Sequence, residues 1–154
     1  IIPGYGGTQR LPRLIGAERA WQMLRDASIM KAREAVEWGG GDLYVDEPSV
    51  KAVQAEAIEL IRRHISGHIQ LKPVSEEPII LSESLPDVQI GSRSLVIDQI
   101  LQQAFKEGLR LPLADGLALE AKLVGVAVET VDCDIGMKNF MQNGPRVPAL
   151  FMHE

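Results

Sequence analysis

Cysteine is almost missing from this chain: Cys133 stands alone among 154 residues. No intramolecular disulfide framework is possible, and a reducing, cytoplasmic setting is expected. Long apolar runs are missing too. Nothing approaches the ~20 residues needed to cross a bilayer, so no membrane partner is expected. There is no excess of positive charge: 16 Lys and Arg face 21 Asp and Glu, for a net charge of −5. The broad basic footprint of a nucleic-acid-binding protein is therefore absent. An initiator methionine and a signal-peptide core are also lacking. The chain opens on Ile1-Ile2-Pro3-Gly4, which reads as the middle of something, and a fragment is expected.

What remains is ordinary for one globular domain, with 45% hydrophobic and 24% charged residues. A folded chain of this length buries roughly 68–70% of its unfolded surface, enough for a core. Charge is unevenly spread. Arg10, Arg13, Arg19, Arg25, Lys31 and Arg33 oppose only Glu18 and Asp26 in residues 1–33, a net +4 that leaves −9 for the rest. That basic front either meets an anionic ligand or is a solvated helix face.

Helical periodicity dominates. Thr8 is expected to cap a first helix through Leu11, Leu14 and Ile15 that breaks at Gly16. A second helix is expected over Ala17 to Arg25, and a third over Met30 to Trp38, ended by Gly39-Gly40-Gly41. Leu43-Tyr44-Val45 reads as a short strand. Pro48-Ser49 opens a helix whose Val50, Val53, Ala57, Leu60, Ile61 and Ile65 repeat every 3.6 residues. From 67 to 92 the pattern dissolves among Pro73, Pro78 and Pro86. Three tail helices follow: Val96 to about Gly108, a second after Pro112 with Leu117, Ala121, Val124 and Val128 inward, and a third capped by Asp132 and stopped by Gly144-Pro145.

Most candidate chemistry reads as structural. Pro3-Gly4-Tyr5-Gly6-Gly7 lacks the Gly-Lys-Ser/Thr ending of a P-loop, and Gln9 stands where a dinucleotide fingerprint needs glycine. A glycine loop entering a helix still presents backbone N–H groups that suit an anion or a polarised water. The other reading is a plain turn. His64 and His68 share a helix face but have no third ligand nearby, so they read as solvated side chains and no metal site is expected. Cys133 between Asp132 and Asp134 is structural. Glu76, Glu77 and Glu83 lack calcium-loop spacing. Asp42, Asp46 and Glu47 are surface-like, and His153 is assigned no role.

The stretch Ile1-Ile2-Pro3-Gly4-Tyr5-Gly6-Gly7-Thr8-Gln9-Arg10-Leu11-Pro12-Arg13-Leu14-Ile15-Gly16 resembles a segment of the crotonase (enoyl-CoA hydratase/isomerase) superfamily. Met23-Leu24-Arg25, Ala32-Arg33-Glu34-Ala35 and Trp38-Gly39 extend the match. So do Gly116-Leu117-Ala118-Leu119-Glu120-Ala121, Glu129-Thr130-Val131-Asp132 and Gly136-Met137-Lys138-Asn139-Phe140. The resemblance covers 1–64 and 93–154 and covers 65–92 poorly. It implies a mostly α-helical chain: residues 1–64 as the C-terminal edge of a crotonase α/β core, 65–92 as linker or insertion, and 93–154 as a helical oligomerisation domain.

In function, the resemblance implies an enzyme acting on an acyl-CoA thioester and forming a homo-oligomer, a trimer or hexamer. No cofactor is implied beyond the CoA of the substrate. The family's oxyanion N–H donors and paired glutamates would precede Ile1, so the chain alone is expected to be inactive. The resemblance assigns Gly4 the backbone N–H that meets the catalytic water. Val124 stands where the family often sets an aromatic toward the ligand, and Asn143 where a lysine often meets the nucleotide end of CoA. Gly40-Gly41 replaces the family's usual apolar pair. The 65–92 insertion admits a second reading, hydrolysis of a cyclic acyl-CoA, and a third reading is an inactive oligomerisation module.

Overall fold

The computed structural model describes residues 1–46, 49–82 and 84–153. Among them are seven helices and no strand: α1 (Gly7–Ile15), α2 (Ala17–Asp26), α3 (Ala32–Glu37), α4 (Val50–Ile65), α5 (Leu95–Gly108), α6 (Leu113–Val128) and α7 (Val131–Asn143). The expected mostly α-helical chain is therefore what forms. The expected strand at Leu43-Tyr44-Val45 does not. No second extended segment pairs with it, and a lone strand leaves its backbone groups unsatisfied. The helices form two units, Ile1–Ile29 with the chain from Ser75 onward, and Met30–Val74.

In the larger unit α5 is the centre. Ser94 caps it by accepting from Ile97 N–H at 3.2 Å, as a short hydroxyl at an N-cap should. Its apolar stripe packs Ile100, Leu101 and Ala104 against Ile2 and against Leu123 and Ala127 of α6. Phe105 is fully buried and meets the Trp21 ring of α2 at 5.3 Å, tilted by 59°, a favoured aromatic geometry. Helices α5 and α6 approach closely because Gly108 and Gly116 face each other. A Cβ on Gly116 would come within 2.7 Å of Gly108 O.

Three expected details differ. Helix α1 begins with Gly6 as N-cap in the left-handed region, so Thr8 lies inside the first turn rather than capping it. The buried face of α1 is Thr8, Gln9, Pro12 and Ile15, while Leu11 and Leu14 are half-buried. Helix α7 is capped by Thr130, whose hydroxyl accepts from Cys133 N–H at 3.1 Å. Asp132 is in the first turn and is committed to other partners.

Residues 66–92 carry no helix or strand among those described, but their second half is anchored. Trp21 Nε1–H donates to Pro86 O at 2.8 Å, Ile79 N–H to Leu109 O at 2.7 Å, and Leu113 N–H to Glu76 O at 2.9 Å. Glu83 and Glu47, read above as solvated carboxylates, and Pro48, read as opening a helix, lie outside the described residues.

In the smaller unit, Ser49 caps α4 by accepting from Ala52 N–H at 3.1 Å. None of α4's residues is buried: of its periodic stripe, Val50, Val53, Ala57, Ile61 and Ile65 are exposed and Leu60 is half-buried. Arg33 stacks over Tyr44 at 4.3 Å and pairs with Asp46 at 3.0 Å. No helix among the described residues is long and apolar enough to cross a membrane.

Candidate functional site

The N-terminal glycine loop is built around two consecutive left-handed residues, Tyr5 (φ 54°) and Gly6 (φ 86°). Glycine adopts that region freely, whereas a tyrosine is strained there. The turn is closed by Gly7 N–H donating to Gly4 O at 3.1 Å and by the Arg10 guanidinium donating to Tyr5 O at 2.6 Å. The Tyr5 ring itself is fully exposed.

An anion was one of two expected occupants for the loop's N–H groups, and the chain supplies one itself. The carboxylate of Glu120, from α6, accepts Gly6 N–H at 2.6 Å, Thr8 N–H at 2.8 Å and the Thr8 hydroxyl at 2.5 Å. Only 2% of Glu120 is exposed. A carboxylate at the first turn of α1 meets unpaired helix N–H groups and the positive end of the helix dipole. Gln9 completes this polar core, donating through Nε2 to Ala104 O at 2.9 Å and to Thr8 Oγ1 at 3.0 Å.

Glu120 was not singled out from sequence. The signal was present: Gly116, Glu120, Leu123 and Ala127 all fall on the buried stripe of α6. A carboxylate on an apolar stripe must find donors or remain unsatisfied.

With Gly6 and Thr8 taken by Glu120, and Gly7 by the turn, the N–H of Gly4 meets no protein acceptor among the described residues. A Cβ on Gly4 would lie 3.7 Å from Val124 Cγ2. Two of the three site residues singled out above, Gly4 and Val124, are thus neighbours. Asn143 is elsewhere. It ends α7, is exposed, and donates from Nδ2 to Asn139 Oδ1 at 2.9 Å.

The basic front is largely spent on internal acceptors. Arg13 reaches Gln9 O at 2.9 Å and Leu111 O at 3.0 Å, Arg19 reaches Ile15 O, and Arg25 holds Asp98 through two 2.8 Å bonds. Arg25 also stacks over Trp21 at 4.6 Å.

Ile1, Ile2 and Pro3 form one wall of a cavity of about 560 Å³. Leu24, Ile97, Leu101, Met137 and Phe140 make it mainly apolar, and its two carboxylates, Asp98 and Asp132, are both engaged. Cys133 also lines it, buried, with Sγ 3.9 Å from Met137 Sδ. His64 and His68 lie in the other unit, exposed, and bond locally: His64 Nδ1 to Leu71 N–H at 3.3 Å and His68 Nδ1 to Ser66 Oγ at 2.7 Å.

Asp132 fastens the C-terminal tail. It accepts the Ser94 hydroxyl at 2.5 Å, Met152 N–H at 2.7 Å and His153 N–H at 3.1 Å. Burial pushes its pKa up. The bonds from Ser94, Met152 and His153, with the charge of His153, outweigh this and hold it below the ordinary carboxylate value. A group with a lowered folded-state pKa contributes stability that is present above its unfolded value of about 3.9 and lost as pH falls through the folded value. Urea unfolding below about pH 4 is therefore expected to show this loss. In Asp132→Asn that part of the acid slope should be gone, and an unchanged slope would contradict the assignment.

No family model matches this chain. It is 40% identical over 72 residues to the fatty acid oxidation complex subunit alpha of Pseudomonas entomophila, covering 47% of this chain and 10% of that protein. It is 39% identical over 72 residues to the same subunit of Pseudomonas savastanoi pv. phaseolicola, with the same coverage. Among solved structures it is similar to an enoyl-CoA hydratase from Bacillus anthracis, at 26% identity over 100% of this chain and 47% of that one, with a TM-score of 0.38. That superposition is too loose to establish a shared overall fold. The chain spans about a tenth of the length of the curated relatives and about half of the solved chain. The similarity to the fatty acid oxidation complex alpha subunits extends over about half of this chain.

Proposed function

We propose that this chain forms part of the acyl-CoA site of an enoyl-CoA hydratase/isomerase-family enzyme. In this reading the Gly4 N–H holds a water or the polar end of the thioester, and Val124 contacts the acyl portion. Asn143 is assigned the nucleotide end of CoA, and no cofactor takes part beyond the CoA of the substrate. The observation that carries the reading is the unpaired Gly4 N–H beside Val124. Similarity to fatty acid oxidation complex alpha subunits supports a substrate of that kind.

Adding water across an enoyl thioester needs carboxylates free to move protons and donors at the developing enolate oxygen. The carboxylate that meets the glycine loop, Glu120, is committed to Gly6 and Thr8. The pure chain is therefore expected to bind crotonyl-CoA without hydrating it. Calorimetry and an absorbance assay for loss of the double bond check both halves. Gly4→Pro, which deletes the N–H, should weaken binding by about tenfold, the value of a lost bond to a polar ligand. Measurable hydration, or equal binding by Gly4→Pro, would contradict the reading.

A second reading, self-association through the C-terminal helices, is favoured by exposed apolar side chains there: Val128, Met137, Phe140 and Met141. Light scattering over a range of concentrations should show mass rising above the monomer. A strict monomer throughout would sink it.

A further inference from the structure

We propose that Glu120 is a positioning residue that acts through the glycine loop, and this rests on the acyl-CoA reading of Gly4. Its carboxylate lies 112 to 114 residues away in sequence, yet it collects Gly6 N–H, Thr8 N–H and the Thr8 hydroxyl within 2.8 Å. These bonds straddle Gly7, whose own N–H closes the turn onto Gly4 O. Tyr5 is held in the left-handed region, which a tyrosine does not adopt without outside support. The consequence is selective. Two of the loop's amides are saturated by a buried anion, so an incoming anion cannot compete for them. The Gly4 amide stays unpaired, and Gly4 lies beside Val124. Glu120 thus decides which N–H the loop offers. It touches no ligand itself.

The electrostatics favour permanence. The carboxylate sits at the first turn of α1, where the helix dipole and unpaired N–H groups stabilise negative charge. The Thr8 hydroxyl that donates to it accepts in turn from Gln9 Nε2 at 3.0 Å. A glutamine at 120 keeps the shape but turns an N–H₂ toward a donor that needs an acceptor, so at least one of Gly6 and Thr8 loses its partner.

The test is amide hydrogen exchange on the ¹⁵N-labelled chain, comparing Glu120→Gln and Thr8→Val with the unsubstituted protein, followed by calorimetry with crotonyl-CoA. In Glu120→Gln, exchange at Gly6 or Thr8 should accelerate by about tenfold more than at Ala104 and Phe105 in α5, and crotonyl-CoA affinity should fall by about tenfold. In Thr8→Val, which removes the hydroxyl's bonds to Glu120 and Gln9 but keeps both N–H bonds, Gly6 exchange should accelerate less than in Glu120→Gln, and affinity should fall less. Glu120→Asp, a methylene shorter but still charged, serves if Glu120→Gln does not fold, with the same local acceleration expected. Unchanged protection at Gly6 and Thr8, or equal acceleration of loop and core, overturns the proposal. So does unaltered affinity in a variant whose loop is loosened. Absence of binding to the unsubstituted chain would instead defeat the acyl-CoA reading, and the exchange data would still decide the role of Glu120 in the loop.

Discussion

Replacing Phe105 with alanine is expected to lower unfolding free energy by about 3–5 kcal/mol, the range for truncating a fully buried aromatic. Phe105 has 0% exposure and is the hub between α5 and α2, through its 5.3 Å contact with Trp21. The Trp21 ring is in turn held by Arg25 at 4.6 Å and Lys106 at 4.9 Å over its faces, and by its bond to Pro86 O. Neighbours fixed on several sides collapse poorly into a void, which places the cost toward the upper end of the range. Urea unfolding should show a lower midpoint with an unchanged slope. Phe105→Leu, which leaves a smaller void, should cost less. A loss below about 1 kcal/mol for Phe105→Ala would mean that α2 is not packed on α5 as described.

Asp98→Ala is expected to cost a similar amount, about 3–5 kcal/mol, because it strands a buried cation. Arg25 and Asp98 are 12% and 9% exposed and bond through both guanidinium–carboxylate contacts at 2.8 Å. Gln102 Nε2 also donates to Asp98 at 2.7 Å and would lose its acceptor. Asp98 lies in the first turn of α5, where a negative side chain suits the helix dipole. The informative control is the double variant Arg25→Met with Asp98→Leu. Removing both charges for apolar groups of similar volume is often near neutral, so the double variant should recover much of the stability lost in the single one. If Asp98→Ala costs no more than an exposed pair, under about 1 kcal/mol, the site is solvated rather than buried.

How much of this was legible in the sequence follows from where each interaction lives. The helices were readable because their apolar residues recur at helical spacing. Ser49 and Ser94 cap as short hydroxyls do. Periodicity says which face is apolar but not whether anything covers it, and so α4 was readable as a helix whereas the exposure of its stripe was not.

The polar interior of α1 was the opposite case. Thr8 and Gln9 are types usually found at the surface, and their burial depends on Glu120, Ala104 and two facing glycines over ninety residues away. No local pattern encodes that approach. The basic front could be counted but not resolved, because most of its arginines point at backbone carbonyls, whose positions only the fold determines. At the candidate site, Gly4 and Val124 were singled out by resemblance and are neighbours in space. The residue that organises the loop between them, Glu120, is visible in sequence only as a charge out of place on an apolar stripe.

The division of the loop's amides is the centre of this account, and a ¹⁵N–¹H spectrum of the chain titrated with crotonyl-CoA tests it most directly. The Gly4 resonance should move with ligand, while Gly6 and Thr8, already held by Glu120, stay in place. Movement of Gly6 and Thr8 with Gly4 unchanged would contradict it.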